Sequence, residues 1–341
     1  MWGSLKANPK ITCEVYDHTY DSRRAIDRAI FPPGSTASLR WDVPSNTGEA
    51  GDQWRISIDN YADQFGAGSE FWVQWRTRMN PTYATHHFKA HDGGVDAWNG
   101  TYTGFKHCFF GGGMQFPYSV EGSPATHYGY QGTGTQSNNV MNTTRTDSDG
   151  EIVMRNRDVL GSPVHAKYPV MYISKGFEGM ESRGRNINYL THANEGVEGA
   201  HAAACEFTPD PDVYSDVNTC FLYPSNQWFT LMIHVIVGNF AQNVQSSLGP
   251  TRTGYANSTI EYYGQITPGT PMRLLHRRTG VVLPTDFGGD VGAQGREKYG
   301  MFGWTTFMTA KWPSEAHPLA QIWVSQIIIQ SGSTAPAAPS V

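Results

Sequence analysis

The sequence predicts an all-β protein, with antiparallel strands stacked as a two-sheet sandwich that carries long decorated loops. Three observations predict it. The clearest apolar patterns repeat every two residues, and those runs are rich in β-branched and aromatic residues. Gly, Pro, Asn and Asp break the chain between them. Helical signal is scarce, so the long helices that alternate with strands in βαβ proteins are missing.

Residues 1–34 read as an N-terminal extension packed on the sandwich. The best helical candidate lies there, at residues 22–30, and it is short and stopped by Pro32-Pro33. Residues 35–330 read as the sandwich itself, with no internal repeat and no linker. Its first clear strand is Glu70-Phe71-Trp72-Val73-Gln74-Trp75-Arg76-Thr77-Arg78-Met79. Alternation puts Phe71, Val73 and Trp75 on one face and Trp72, Gln74, Arg76 and Arg78 on the other. A second strand at residues 228–237 buries Phe229, Leu231, Ile233, Val235 and Val237, leaving Thr230, Met232 and His234 opposite. A last strand spans residues 322–329. The polar stretches 123–150 and 175–204 read as loops, and a loop longer than about 15 residues is usually functional or disordered. Residues 331–341, rich in Ser, Ala and Pro, read as a flexible tail.

Composition excludes several function classes. At 341 residues the chain can bury about three-quarters of its unfolded surface, so its core needs no staples. Twenty-five basic against thirty acidic residues give a net charge of −5, which offers no footprint for nucleic acid or an anionic membrane. The longest apolar run, 229–238, is interrupted by His234 and is far shorter than the ~20 residues of a membrane helix. Abundant Gly, Trp and Tyr with little Lys suggest an extracellular protein, yet the N-terminus lacks a secretory leader pattern. A secreted protein whose leader was removed and a virion-surface protein released by lysis both fit.

Four cysteines allow three full pairings. Cys205 and Cys220 flank an irregular Pro- and Asp-rich segment and are read as a disulfide, which would stabilise by about 3 kcal/mol in the chain-entropy model. Cys13 and Cys108 form a second bridge or remain buried thiols. No zinc-type ligand spacing occurs. No cofactor is implied, and calcium is the one metal the sequence leaves open, through either of two acidic segments. Asp147-Ser148-Asp149-Gly150-Glu151 matches part of a calcium loop but lacks the later ligands, and the acids Asp210, Asp212 and Asp216 are the alternative calcium site. His86, His87, His91 and Asp92 lack a helical frame for metal binding.

Several blocks carry a family resemblance. They are the 70–78 strand, Gly104-Phe105-Lys106-His107 before Gly111-Gly112-Gly113, and Met171-Tyr172-Ile173-Ser174. Further blocks are Asn218-Thr219-Cys220-Phe221, Pro224-Ser225-Asn226-Gln227-Trp228, Tyr299-Gly300-Met301-Phe302-Gly303-Trp304 and the 323–328 strand. In order and spacing these blocks resemble concanavalin-like jelly-roll modules of the polysaccharide lyase and laminarinase-type superfamily. The resemblance implies a jelly roll of two curved sheets that holds a glycan on its concave face. Two departures matter. Ser325 and Gln326 stand where similar modules carry an Asp-Glu pair, and Tyr263-Gly264-Gln265-Ile266 stands near their Arg-Glu-Gly turn.

Lyase chemistry suits the residues best. β-Elimination on a uronate needs a cation or amide to neutralise the sugar carboxylate, and a His or Tyr to remove the acidified proton. Gln74, Arg76 and Arg78 repeat about 7 Å apart along one strand face, and the planar fork of Arg suits a carboxylate. The candidate catalytic set is therefore Gln74, Arg76, His107, His234 and Tyr172, with Trp72, Arg78 and Lys106 binding substrate. The plainer reading is a solvated or salt-bridged face for the arginines and a packed, hydrogen-bonded ring for His234. Hydrolase chemistry has less support, because no strand carries the paired carboxylates it needs and Glu261 reads as a lone strand acid. The expected partner is a polysaccharide or surface glycan. The alternative is a non-catalytic decoration protein on a virion or cell surface, since fold does not fix function.

Overall fold

The computed structural model describes residues 11–12, 24–48, 53–58, 63–86, 88–89, 97–98, 102–103, 105–113, 152–158, 167–173, 206–207, 214–216, 223–245, 251–284, 298–305 and 311–339. Their strands are β1 (Ile11–Thr12), β2 (Arg24–Asp27), β3 (Ser38–Val43), β4 (Gln53–Ile58), β5 (Glu70–Met79) and β6 (Ala97–Trp98). Next come β7 (Tyr102–Thr103), β8 (Phe105–Gly113), β9 (Ile152–Asp158), β10 (Lys167–Ile173), β11 (Glu206–Phe207) and β12 (Tyr214–Asp216). The chain continues through β13 (Phe229–Ile236), β14 (Asn239–Gln245), β15 (Thr251–Gln265), β16 (Arg273–Pro284), β17 (Lys298–Thr305) and β18 (Ala320–Ser331). One short helix, α1 (Pro81–Thr85), follows β5, with Asn80 as its N-cap accepting from the Tyr83 amide.

The all-β antiparallel architecture that the alternation predicts is the one observed. Two large sheets form. One runs β1-β4-β17-β8-β9-β10, and the other runs β14-β15-β13-β5-β18-β3-β2 with β16 pairing β15. Non-consecutive neighbours such as β5 and β18 are paired antiparallel across most of the chain length. The two sheets share one apolar core. Phe71 of β5 meets Phe302 of β17 edge-on at 5.9 Å, and Trp75 meets Trp304 at 6.1 Å. Each such aromatic pair adds about 0.5–1.5 kcal/mol beyond burial. Phe71, Val73, Trp75, Leu231, Ile233, Val235, Ile322, Val324 and Ile329 all lie in that core, so the period-two pattern buries the face it predicts.

The segment 22–30 departs from its helical reading. Residues 24–27 are strand β2, paired antiparallel with β3 so that Ile26 faces Leu39. A short segment between prolines has too few residues to hold a helix alone, whereas edge pairing satisfies its backbone at once. Asp27 then accepts from the Trp323 indole at 2.9 Å and from Arg40 at 3.2 Å, which ties this edge to β18. At the β13–β14 turn only glycine fits: a Cβ on Gly238 would lie 1.8 Å from the carbonyl oxygen of Ala256.

Candidate functional site

The predicted residues divide between the two sheets. Trp72, Gln74, Arg76, Arg78 and His234 share the non-core face of the eight-stranded sheet. Lys106, His107 and Tyr172 belong to the six-stranded sheet, so the expected single constellation does not form. The reason is register: β5 and β13 pair with each other, whereas β8 pairs with β9 and β17.

On the eight-stranded sheet, registered pairs stack the face in rows. One row runs Glu261, His234, Trp72, Gln330; the next runs Tyr263, Met232, Gln74, Ile328; a third runs Gln265, Thr230, Arg76, Ser325. The first row builds a compact polar cluster. His234 lies between two carboxylates, with Nδ1 2.8 Å from Glu261 Oε2 and Nε2 2.7 Å from Glu70 Oε1. A ring with a single proton can donate to only one of them. Trp72 covers the imidazole, stacked at 3.7 Å and 5°. The Tyr263 hydroxyl and the Arg277 guanidinium both donate to Glu261. The hydrogen bond from His234 pulls the Glu261 carboxyl down to about 2; burial opposes this, and Tyr263 and Arg277 add to it. Burial, followed by the bond to Glu261, pushes the Tyr263 hydroxyl up, which makes it a poor base.

This face is closed rather than open to a polymer. Gln74 is 1% exposed, Arg76 2% and His234 5%. The chain's own residues 332–339 lie against it. The Trp72 indole donates to the Gly332 carbonyl at 2.9 Å, the Gln74 amide donates to the Ala337 carbonyl at 3.3 Å, and Pro336 is buried. The segment 30–37 closes the other flank, where Gln326 donates to the Pro33 carbonyl and Ser325 to Ala37. Trp72, Gln74, Arg76 and His234 therefore do not line an open groove. Arg78 is less buried, and its guanidinium sits 6.0 Å over Trp323.

The six-stranded sheet offers a different surface. Phe302 and Trp304 are core residues, and Phe302 pairs with Phe110 and Trp304 with Cys108; Ile152 and Met154 of β9 continue those rows. Alternation then places Val153, Arg155 and Arg157 on the opposite face. Arg155 pairs with Lys106 on one side and Val170 on the other; Arg157 pairs with Tyr168, and Val153 with Tyr172. Arg55 of β4, next to the core residue Ile56, joins the same face opposite Gly303. His107 is the extra residue of a bulge, because Lys106 and Cys108 pair with consecutive residues of β9. Bulges of this kind re-aim a strand beside many active sites. Among the described strand positions on this face no Asp or Glu occurs, while Arg55, Lys106, Arg155 and Arg157 do.

Several of these residues escaped the sequence reading. Arg155 and Arg157 carry an alternation signal, Val153-Arg155-Arg157, that marks a strand face. Glu70, Tyr263 and Arg277 become visible only through pairing of β13 with β5 and of β15 with β16. Among the described residues no group of three or more His, Cys, Asp or Glu side chains is placed to hold a metal ion. Cys205, Cys220, Cys13 and the Asp147–Glu151 segment lie outside the described residues, as do Asp210, Asp212, His87, His91 and Asp92. No helix among the described residues is long and apolar enough to cross a membrane.

No protein-family model and no curated protein matches the chain. Solved structures that resemble it include the marine PL-14 alginate lyase from Aplysia kurodai, at 11% identity over 91% of this chain and 87% of that one, with a TM-score of 0.43. The alginate lyase Aly36B is 10% identical over 94% and 86% of the two chains, with a TM-score of 0.40. The alginate lyase vAL-1 from Chlorella virus is 9% identical over 91% and 89%, with a TM-score of 0.36.

Proposed function

We propose that the protein binds an acidic polysaccharide across the non-core face of its six-stranded sheet and cleaves it by β-elimination. One observation carries this reading: the strand registers gather Arg55, Lys106, Arg155 and Arg157 with Tyr168 and Tyr172 on a face without a described acid. In a protein of net charge −5 such a segregated cationic face is a local departure that favours a polyanion. Neighbouring strands lie about 4.8 Å apart and same-face residues about 7 Å apart along a strand. Lys106 and Arg155 are therefore adjacent, with Tyr172 one row further on and two strands from Lys106.

In the catalytic reading Lys106 and Arg155 neutralise a uronate carboxylate, which acidifies the proton at C5. Tyr172 or the bulged His107 removes that proton. The electron pair left at C5 forms the C4–C5 double bond, the C4–O bond breaks, and the departing oxygen takes up a proton. A ligand of this kind is met at a cell or virion surface, in keeping with the extracellular composition.

The test is incubation with alginate, polygalacturonate and a glucuronate polymer, read by ultraviolet absorbance of the unsaturated product and by binding. Product with at least one polymer, lost in Lys106→Ala and Arg155→Ala, is the expected result. Binding without product on any polymer removes the catalytic half and leaves a glycan-adhesion protein. No binding to any of them overturns the proposal.

A further inference from the structure

The non-core face of the eight-stranded sheet contains a charge without a partner. Its carboxylates are grouped at two ends: Glu70 and Glu261 serve His234 and Arg277, and Asp27 and Asp42 serve Arg40. Arg76 lies between them, 2% exposed, and makes no ion pair among the described residues. Its one hydrogen bond is long, 3.4 Å from NH1 to the neutral Gln326 Oε1, and its Nε has no partner. In its row it is flanked by the neutral residues Thr230 and Ser325. Gln74, the next residue along the strand face, has an unpartnered buried Oε1 as well. A buried guanidinium offering five donors to one weak acceptor is costly unless an anion completes it.

The roof over Arg76 is lightly attached. Gly332 takes a φ of +93° and anchors the strap by two bonds, its N–H to the Glu70 carbonyl and its own carbonyl to the Trp72 indole. Beyond it, the strap meets the face through two carbonyls, that of Thr334 accepting from Gln330 Nε2 at 2.6 Å and that of Ala337 accepting from the Gln74 amide at 3.3 Å, and only Pro336 is buried. The Ser-Thr-Ala-Pro sequence supplies few side chains to pack.

We propose that Arg76 is the centre of a second, carboxylate-binding site, which residues 332–339 roof and which opens when that strap lifts at Gly332. A carboxylate suits it better than a phosphate. The planar fork takes a carboxylate by two parallel hydrogen bonds, and one guanidinium balances one charge. The next cation, Arg78, is engaged over Trp323. The ligand is a sugar acid, free or at the end of a polymer, and the site does not depend on the six-stranded face.

The experiment uses galacturonate and trigalacturonate as probes, titrated calorimetrically in a Lys106→Ala/Arg155→Ala background that silences the other face. Binding is expected to persist there, to tighten at least tenfold in a variant ending at Ser331, and to disappear in Arg76→Gln. Should that variant not fold, Gln74→Ala takes its place, with an expected loss of at least threefold. Hydrogen exchange provides a second readout, since bound galacturonate should speed exchange of the amides in 333–338 of the full chain. Binding of the monomer identifies a free sugar acid and binding of the trimer alone a polymer end, and either supports the site. No binding by the shortened variant, undiminished affinity in the Arg76 and Gln74 variants, or unchanged strap exchange overturns it.

Discussion

Trp72 and His234 lie face to face across the β5–β13 pair, ring centroids 3.7 Å apart and 5° from parallel. The stack does two things at once. It shields the imidazole from water, strengthening its bonds to Glu70 and Glu261, and it sets the indole N–H against the Gly332 carbonyl. The polar cluster and the strap are therefore linked through one side chain.

That linkage makes stability depend on pH. The Glu261 carboxyl is held at about 2, below its ordinary 4.5, so between those values the unfolded chain binds more protons than the folded one. Stability contributed by this group is fully present above pH 4.5 and is lost as pH falls towards 2. A depression of that size is worth about 3 kcal/mol. Urea melts at pH 6 and pH 3 should show a larger loss in the wild type than in Glu261→Gln. Equal losses in the two proteins would remove the cluster from the account.

Trp72→Phe keeps a ring over His234 but deletes the donor to Gly332. The expected cost is about 1 kcal/mol, the net worth of one hydrogen bond. Limited proteolysis should cut residues 332–339 faster in this variant while the sheet resists. A strap no more sensitive than in the wild type would show that it is held by other contacts.

Arg76→Met carries the opposite sign. Replacing a buried charge that lacks a counter-ion by an apolar side chain of similar length is expected to be neutral or to stabilise by about 1–2 kcal/mol in buffer without added carboxylates. Thermal melts measure it. A destabilisation beyond about 2 kcal/mol would mean that the guanidinium is already satisfied within the fold.

Much of the fold was legible because burial writes a period of two into the sequence. Phe71, Val73 and Trp75 can be assigned to the core without knowing what they meet. The positions Ser325 and Gln326, which depart from the family pattern, fall on a bulge of β18 where Gln326 has a φ of 50°. The site was less legible for two physical reasons. Which strands pair is a long-range matter, so Lys106 and Gln74 carry no local mark of belonging to separate sheets. The strap docks through its carbonyls at Gly332, Thr334 and Ala337, and backbone contacts leave no signature in side-chain composition.

Arg155 is the position at which the six-stranded face is most directly tested. It pairs with Lys106 on β8 and Val170 on β10, so its loss leaves the Lys106 ammonium as the one charge in that row of described positions. Charges act on a polyanion through a field that salt screens within about 8 Å at physiological ionic strength. Affinity for a uronate polymer should therefore fall as salt rises in the wild type. Arg155→Ala should weaken binding by about tenfold at low salt and flatten that dependence, with thermal stability unchanged to within about 0.5 kcal/mol. A variant that binds as tightly as the wild type, with the same response to salt, would take the polysaccharide off this face.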